Sequence, residues 1–113
     1  MPQHEDPIRL QHMLEAAKKA HEFVNGLKRQ DLQTDEKLTF ALLRLLEVIG
    51  EAAKNISPET RERYSQIAWK GIAGTRDRLI HGYFDVDLDI IWRIVAKDLP
   101  PLIAELEKII PAG

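Results

Sequence analysis

Apolar residues recur along this chain at intervals of three and four, the spacing that lines one face of an α-helix. Leu10, Met13, Leu14, Ala17, Ala20, Val24 and Leu27 make the first series, with Asp6 as its expected N-cap, Pro7 at the first helical position and Gly26 near its end. Leu38, Ala41, Leu42, Leu45, Leu46, Ile49, Ala52 and Ala53 form a broader stripe that Thr34 or Asp35 opens. A stripe of that width needs a partner helix. Ser57-Pro58-Glu59-Thr60 repeats the capping signature and predicts a short helix through about Tyr64, followed by a helix from about Trp69 toward His81 that stops at Gly82. A last amphipathic helix starts at about Asp87, runs through Ile90, Ile91, Ile94, Val95 and Leu99, and resumes to Ile110 after a kink at Pro100-Pro101. With no strand alternation, internal repeat or flexible linker, the expectation is an all-α antiparallel bundle of about four to five helices forming a single domain over residues 1–113.

Composition narrows the class without changing the fold. The 113 residues are 44% hydrophobic and 30% charged, which suits one folded core and leaves little room for disorder. No apolar run approaches the roughly 20 residues that cross a bilayer, and Met1-Pro2-Gln3-His4-Glu5-Asp6 lacks the basic start of a signal peptide, so no membrane partner is expected and the cytoplasm is the expected location. The chain has no cysteine, which excludes disulfides, thiol nucleophiles and thiolate metal sites. Its net charge of −2 hides an uneven distribution: residues 60–81 carry 5 basic and 2 acidic side chains, while the segments on either side are net acidic.

The candidate chemistry lies in that one positive segment. Arg76-Asp77-Arg78-Leu79-Ile80-His81-Gly82-Tyr83 puts two guanidinium groups, a carboxylate, an imidazole and a phenol within eight residues. Arginine offers a fixed fork of donors to phosphate, and histidine can take and give a proton near neutrality, so the run points to phosphodiester chemistry. On a straight helix Asp77 and His81 share a face, whereas Arg76 and His81, five apart, diverge by about 140°. They converge only if the helix ends or bends at His81-Gly82, or if two copies meet across a two-fold axis; the second arrangement is the favoured expectation.

The run resembles the Arg, polar residue, three more, His, any residue, Tyr signature of HEPN-domain ribonucleases, and especially of HepT, the toxin partner of minimal nucleotidyltransferases. Leu46-Glu47-Val48-Ile49-Gly50-Glu51-Ala52-Ala53, Trp69-Lys70-Gly71-Ile72-Ala73-Gly74, Ile90-Ile91-Trp92 and Leu99-Pro100 are similar to that family in order and spacing. Asn is commonest after the first arginine of the motif, and Asp77 stands there in this chain. The resemblance implies a metal-independent, cofactor-free endoribonuclease toxin of a type VII toxin–antitoxin module, acting on RNA as a homodimer. It further implies Arg76 and His81 as catalytic residues, Asp77 and Arg78 in support, and a nucleotidyltransferase antitoxin encoded nearby that attaches AMP to Tyr83. The alternative is a noncatalytic subunit that uses Arg76, Arg78 and Lys70 to hold RNA or a nucleotide, or that scaffolds a nucleotidyltransferase.

Other features have plainer explanations. Trp69 and Trp92 sit within apolar periodicity and read as core anchors rather than base-stacking platforms. His4, His12 and His21 lack the spacing of a helical zinc pair and read as surface residues. Asp85-Val86-Asp87-Leu88-Asp89 begins like a calcium loop, but Ile90 and Ala96 occupy the positions that need glycine and glutamate, so no metal is predicted. Gly50 is suited to a close approach of two helices, and Glu51 is either paired or solvated.

Overall fold

The computed structural model describes residues 2–79 and 86–110, without the side chains of residues 2–4 and 76. Every regular element within them is a helix: α1 (Pro2–Phe23), α2 (Asp31–Thr34), α3 (Glu36–Lys54), α4 (Pro58–Arg63), α5 (Trp69–Ala73), α6 (Thr75–Leu79), α7 (Leu88–Arg93), a π-helical turn (Ile94–Asp98) and α8 (Leu99–Ile109). Three long rods, α1, α3 and the α7–α8 run, make the all-α bundle, and the short helices bridge them. Arg9 and His12, early in α1, face the depression lined by Glu51 and Asn55 at the end of α3, and Leu10 lies beside Ile109 and Ile110. Helix α1 is therefore antiparallel to both of the rods it packs against. Met13, Ala17, Leu42, Ile91, Val95 and Leu106 are among the side chains sealed between the rods. No helix among the described residues is long and apolar enough to cross a membrane.

Three local caps form where the sequence predicts them. Asp35 accepts from Leu38 N (3.0 Å) to open α3, Ser57 accepts from Thr60 N (3.4 Å) with Pro58 at the first position of α4, and Asp87 accepts from Ile90 N (3.1 Å) to open α7. At the other end of α3, Arg61 donates through Nη2 to the carbonyls of Ala53 (3.0 Å), which also accepts from Ile56 N (3.3 Å), and of Lys54 (2.7 Å).

Four expectations are corrected. Helix α1 starts at Pro2, so Asp6 is not its N-cap and Pro7 lies inside the helix. Pro7 there forfeits only the hydrogen bond to the Gln3 carbonyl, one turn from the end. Asp6 instead serves α4: its carboxylate is 3% exposed and accepts from Ser57 N (3.1 Å), Ser57 Oγ (2.5 Å) and Thr60 Oγ1 (2.6 Å). Burial pushes its pKa up, but those donors, with the charge of Arg9, outweigh burial and hold it below the ordinary aspartate value. The helix expected from Trp69 toward His81 is broken at Gly74 into α5 and α6. The polar stretch after α1 contains a helix of its own, α2, pinned by buried Leu32, whose carbonyl accepts from Thr39 Oγ1 (3.0 Å).

The irregularity expected at Pro100-Pro101 is displaced upstream. Both prolines fit into the first turn of α8, and the preceding turn is π-helical, with Leu99 N donating to Ile94 O. Prolines lack N–H, so the carbonyls of Ala96 and Lys97 cannot receive the usual helical bond, and a wider turn accommodates the rings. That turn also corrects the register. The buried residues Ile91, Val95, Leu99, Leu102 and Leu106 advance 15 residues in four turns, where a regular helix advances about 14.4.

Candidate active site

The polypeptide that carries the arginines is fixed from below by small residues. Gly50 of α3 faces the end of α5 so closely that a Cβ there would lie 3.2 Å from Ile72 O and 3.7 Å from Ala73 O. The expected role of Gly50 is thereby met: α5 rests on the α3 backbone. Trp69 is buried at the start of α5 and donates from Nε1 to Tyr64 O (3.1 Å), as a core anchor does. Replacing Gly50 with valine puts a branched side chain against a backbone carbonyl. Gly50→Val should cost about 1–3 kcal/mol in urea or thermal unfolding, whereas Gly71→Ala, whose Cβ meets nothing within 4 Å, should be neutral or stabilising.

Helix α6 is anchored on one side and open on the other. Thr75 is buried and donates from Oγ1 to Gly71 O (3.2 Å), and Leu79 is completely buried four residues on. Asp77 and Arg78 point outward; Arg78 Nη2 reaches Thr75 Oγ1 at 3.4 Å. Arg76 lies on the same five-residue helix. His81 and Tyr83 lie outside the described residues, so the pairings expected between Arg76, Asp77 and His81 are not observed. The chain positions on either side of that segment are joined, since Asp87 N donates to Leu79 O (2.9 Å). Arg29 Nε holds Asp89 Oδ1 (2.6 Å) just beyond, at the start of α7.

A cleft of about 460 Å³ opens beside Arg78. Its floor is apolar, with Ile49, Ile72, Ile94 and Leu102, and its rim carries Gln66, Arg78, Lys97 and Glu105. Gln66 Nε2 donates to Glu105 Oε2 (3.2 Å), while Lys108 Nζ lies 3.4 Å from Glu105 Oε1. Lys97, on the π-helical turn, carries no distinguishing signal in the sequence, where it is one polar position of an amphipathic helix. Among the described residues no group of three or more His, Cys, Asp or Glu side chains is placed to hold a metal ion. Glu51 is exposed and engages Asn55, whose Nδ2 donates to its backbone carbonyl (2.9 Å) and reaches Oε1 at 3.5 Å. His12 and His21 are exposed, as expected.

This arrangement places the cations Arg78 and Lys97 beside a cleft, and comparison with known proteins supplies the family. The profile described as "Ribonuclease HepT-like" matches residues 13–109, from the middle of α1 to the end of α8. The chain belongs to the HepT-like ribonuclease family. It is 39% identical over 100 residues to a protein of Thermococcus cleftensis named "Probable ribonuclease HepT", covering 88% of this chain and 91% of that one. It is 44% identical over 101 residues to a protein of Caldanaerobacter subterraneus subsp. tengcongensis named "Putative RNase", covering 89% and 90%. No solved structure gives a significant match. The HepT-like match takes in the Arg76–Tyr83 run, α3, the α7–α8 run and the second half of α1.

Proposed function

We propose that this HepT-like chain is an endoribonuclease toxin that cuts RNA without a metal ion, at a site shared by two copies. The observation that carries the reading is the sequence run of Arg76, His81 and Tyr83, which begins on α6, inside a chain matched from residue 13 to residue 109 by a ribonuclease family. In the proposed reaction His81 of one protomer takes the proton from a ribose 2′-hydroxyl, and the 2′-oxygen attacks the adjacent phosphorus. The bond from phosphorus to the 5′-oxygen breaks, and the partner's His81 protonates the departing oxygen. The products are a 2′,3′-cyclic phosphate and a free 5′-hydroxyl. Arg76 stabilises charge on the phosphorane oxygens, with Arg78 and Asp77 in support. DNA, lacking the attacking hydroxyl, is not a substrate.

Regulation belongs to the same reading. An AMP group on Tyr83, two residues from His81, adds bulk and negative charge where an RNA phosphate must approach, so a nucleotidyltransferase antitoxin of a type VII module silences the nuclease by that transfer. One experiment tests the whole. The purified chain, in EDTA, should cut RNA to ends bearing cyclic phosphate, leave the DNA of the same sequence intact, and lose activity after treatment with the cognate nucleotidyltransferase and ATP. Tyr83→Phe should stay active after the same treatment. Failure to cut RNA sinks the catalytic reading, and silencing of Tyr83→Phe sinks the regulatory one.

A further inference from the structure

We infer that the cleft between α5–α6 and the π-helical turn is a nucleotide subsite, which seats one residue of the RNA strand beside the scissile bond and grips its phosphate through Lys97 together with Arg78. The inference rests on the ribonuclease reading and adds to it a residue and a place that the motif does not contain. Its first support is continuity: Arg78 belongs both to the rim of the cleft and to the helix that carries Arg76, and Thr75, which Arg78 contacts, lines the same cleft. Charge is the second. Arg78 and Lys97 present two cations on the rim, both exposed, while one of the two acids there, Glu105, already faces Gln66 and Lys108. Asp98, the remaining acid, is exposed and adjacent in sequence to Lys97.

Shape is the third support. The volume of about 460 Å³ lies in the range of small-ligand clefts and is larger than a single side chain needs, and its aliphatic floor suits the flat, weakly hydrated face of a base. The Gln66–Glu105 pair stands at the rim with an amide and a carboxylate, the groups that donate to and accept from base edges. Lys97 reaches the rim from the π-helical turn that the prolines impose, so its position is fixed by backbone rather than by a mobile loop.

Gly71 provides a clean test because it lines the cleft and a Cβ there meets nothing within 4 Å. Gly71→Leu should therefore fill the subsite without disturbing the core. Binding of a short 2′-O-methyl oligoribonucleotide, which has no free attacking hydroxyl, is followed by fluorescence anisotropy, with cleavage of unmodified RNA measured in parallel. Gly71→Leu and Lys97→Gln should each weaken binding about three- to tenfold, and Lys97→Gln should lower the salt dependence by about one counterion. Lys19→Gln, on the exposed side of α1, should leave affinity nearly unchanged and calibrates the loss of a remote charge. If the unaltered protein cuts and binds RNA but both cleft variants bind equally well, the subsite is overturned and the ribonuclease reading stands. If the unaltered protein neither cuts nor binds, both fall. If Gly71→Leu shifts the oligomeric state in sedimentation, the cleft is a contact between copies and the inference is overturned.

Discussion

His81→Ala and Arg76→Ala should each reduce RNA cleavage by about 10²–10⁴-fold while the helical spectrum and melting temperature change little. The magnitude follows from the chemistry proposed. Neutral 2′-hydroxyl is a weak nucleophile and a 5′-alkoxide a poor leaving group, so removing the imidazole withdraws proton transfer at both ends of the displacement. Removing the guanidinium leaves the developing phosphorane charge to water. Arg76→Lys separates charge from geometry: one ammonium cannot reproduce the two-pronged contact, so most of the loss should persist. Mixing an unaltered chain with a His81→Ala chain provides the sharper measurement. In a site where both imidazoles act on one linkage, the heterodimer keeps a base or an acid but not both, so it should be nearly as slow as the His81→Ala homodimer. If full activity survives either substitution, these residues are not the catalyst; if the heterodimer keeps half of the unaltered activity, each protomer works alone.

Asp6→Ala should be the most damaging change outside the motif, destabilising the protein by about 2–4 kcal/mol and lowering its melting temperature by on the order of 10 °C. The carboxylate is buried and accepts three hydrogen bonds from α4, so alanine leaves the backbone N–H of Ser57 and two hydroxyls without their acceptor. Asp6→Asn keeps the shape and one acceptor but loses the charge, and should cost less. The pH dependence has a definite sign. The folded-state pKa of Asp6 lies below its unfolded value of about 3.9. Its charge-linked contribution is therefore complete at pH values above that unfolded value and drains away as pH falls through the lower, folded one. Urea titrations between pH 7 and pH 3 should show the gap between native protein and Asp6→Asn constant near neutrality and narrowing below about pH 4. A constant gap throughout would mean that Asp6 acts as a neutral acceptor only.

The sequence reveals what is decided within a few residues. Asp35, Ser57 and Asp87 are legible as caps because each accepts from an N–H three positions ahead, and the stripes of α1, α3 and α8 are legible because burial follows their period. Asp6 misleads for the opposite reason: its partners are 51 and 54 positions away, and nothing in Asp6-Pro7 distinguishes a cap of its own helix from a cap lent to another. Helix α2 escapes detection because a single buried leucine in four residues has no period. The break at Gly74 is suggested only weakly by two glycines, and is made by the Thr75 hydroxyl turning back to Gly71 O. Within the candidate site the arginine and histidine spacing is plain in the chain, whereas the cleft beside it is lined by residues of α3, α5, α6 and the π-helical turn that only the fold brings together.

That widened turn makes chain length itself part of the design near Lys97. Adding one residue of ordinary helical winding between Ile94 and Asp98 would swing every side chain on one flank by about 100° relative to the other. Either Ile91 and Val95 or Leu102 and Leu106 would then be turned toward water. Loops elsewhere can gain a residue at small cost, but here an insertion is equivalent to several simultaneous core substitutions, and descendants of this chain can vary the chemistry of position 97 far more freely than they can lengthen the path to the prolines.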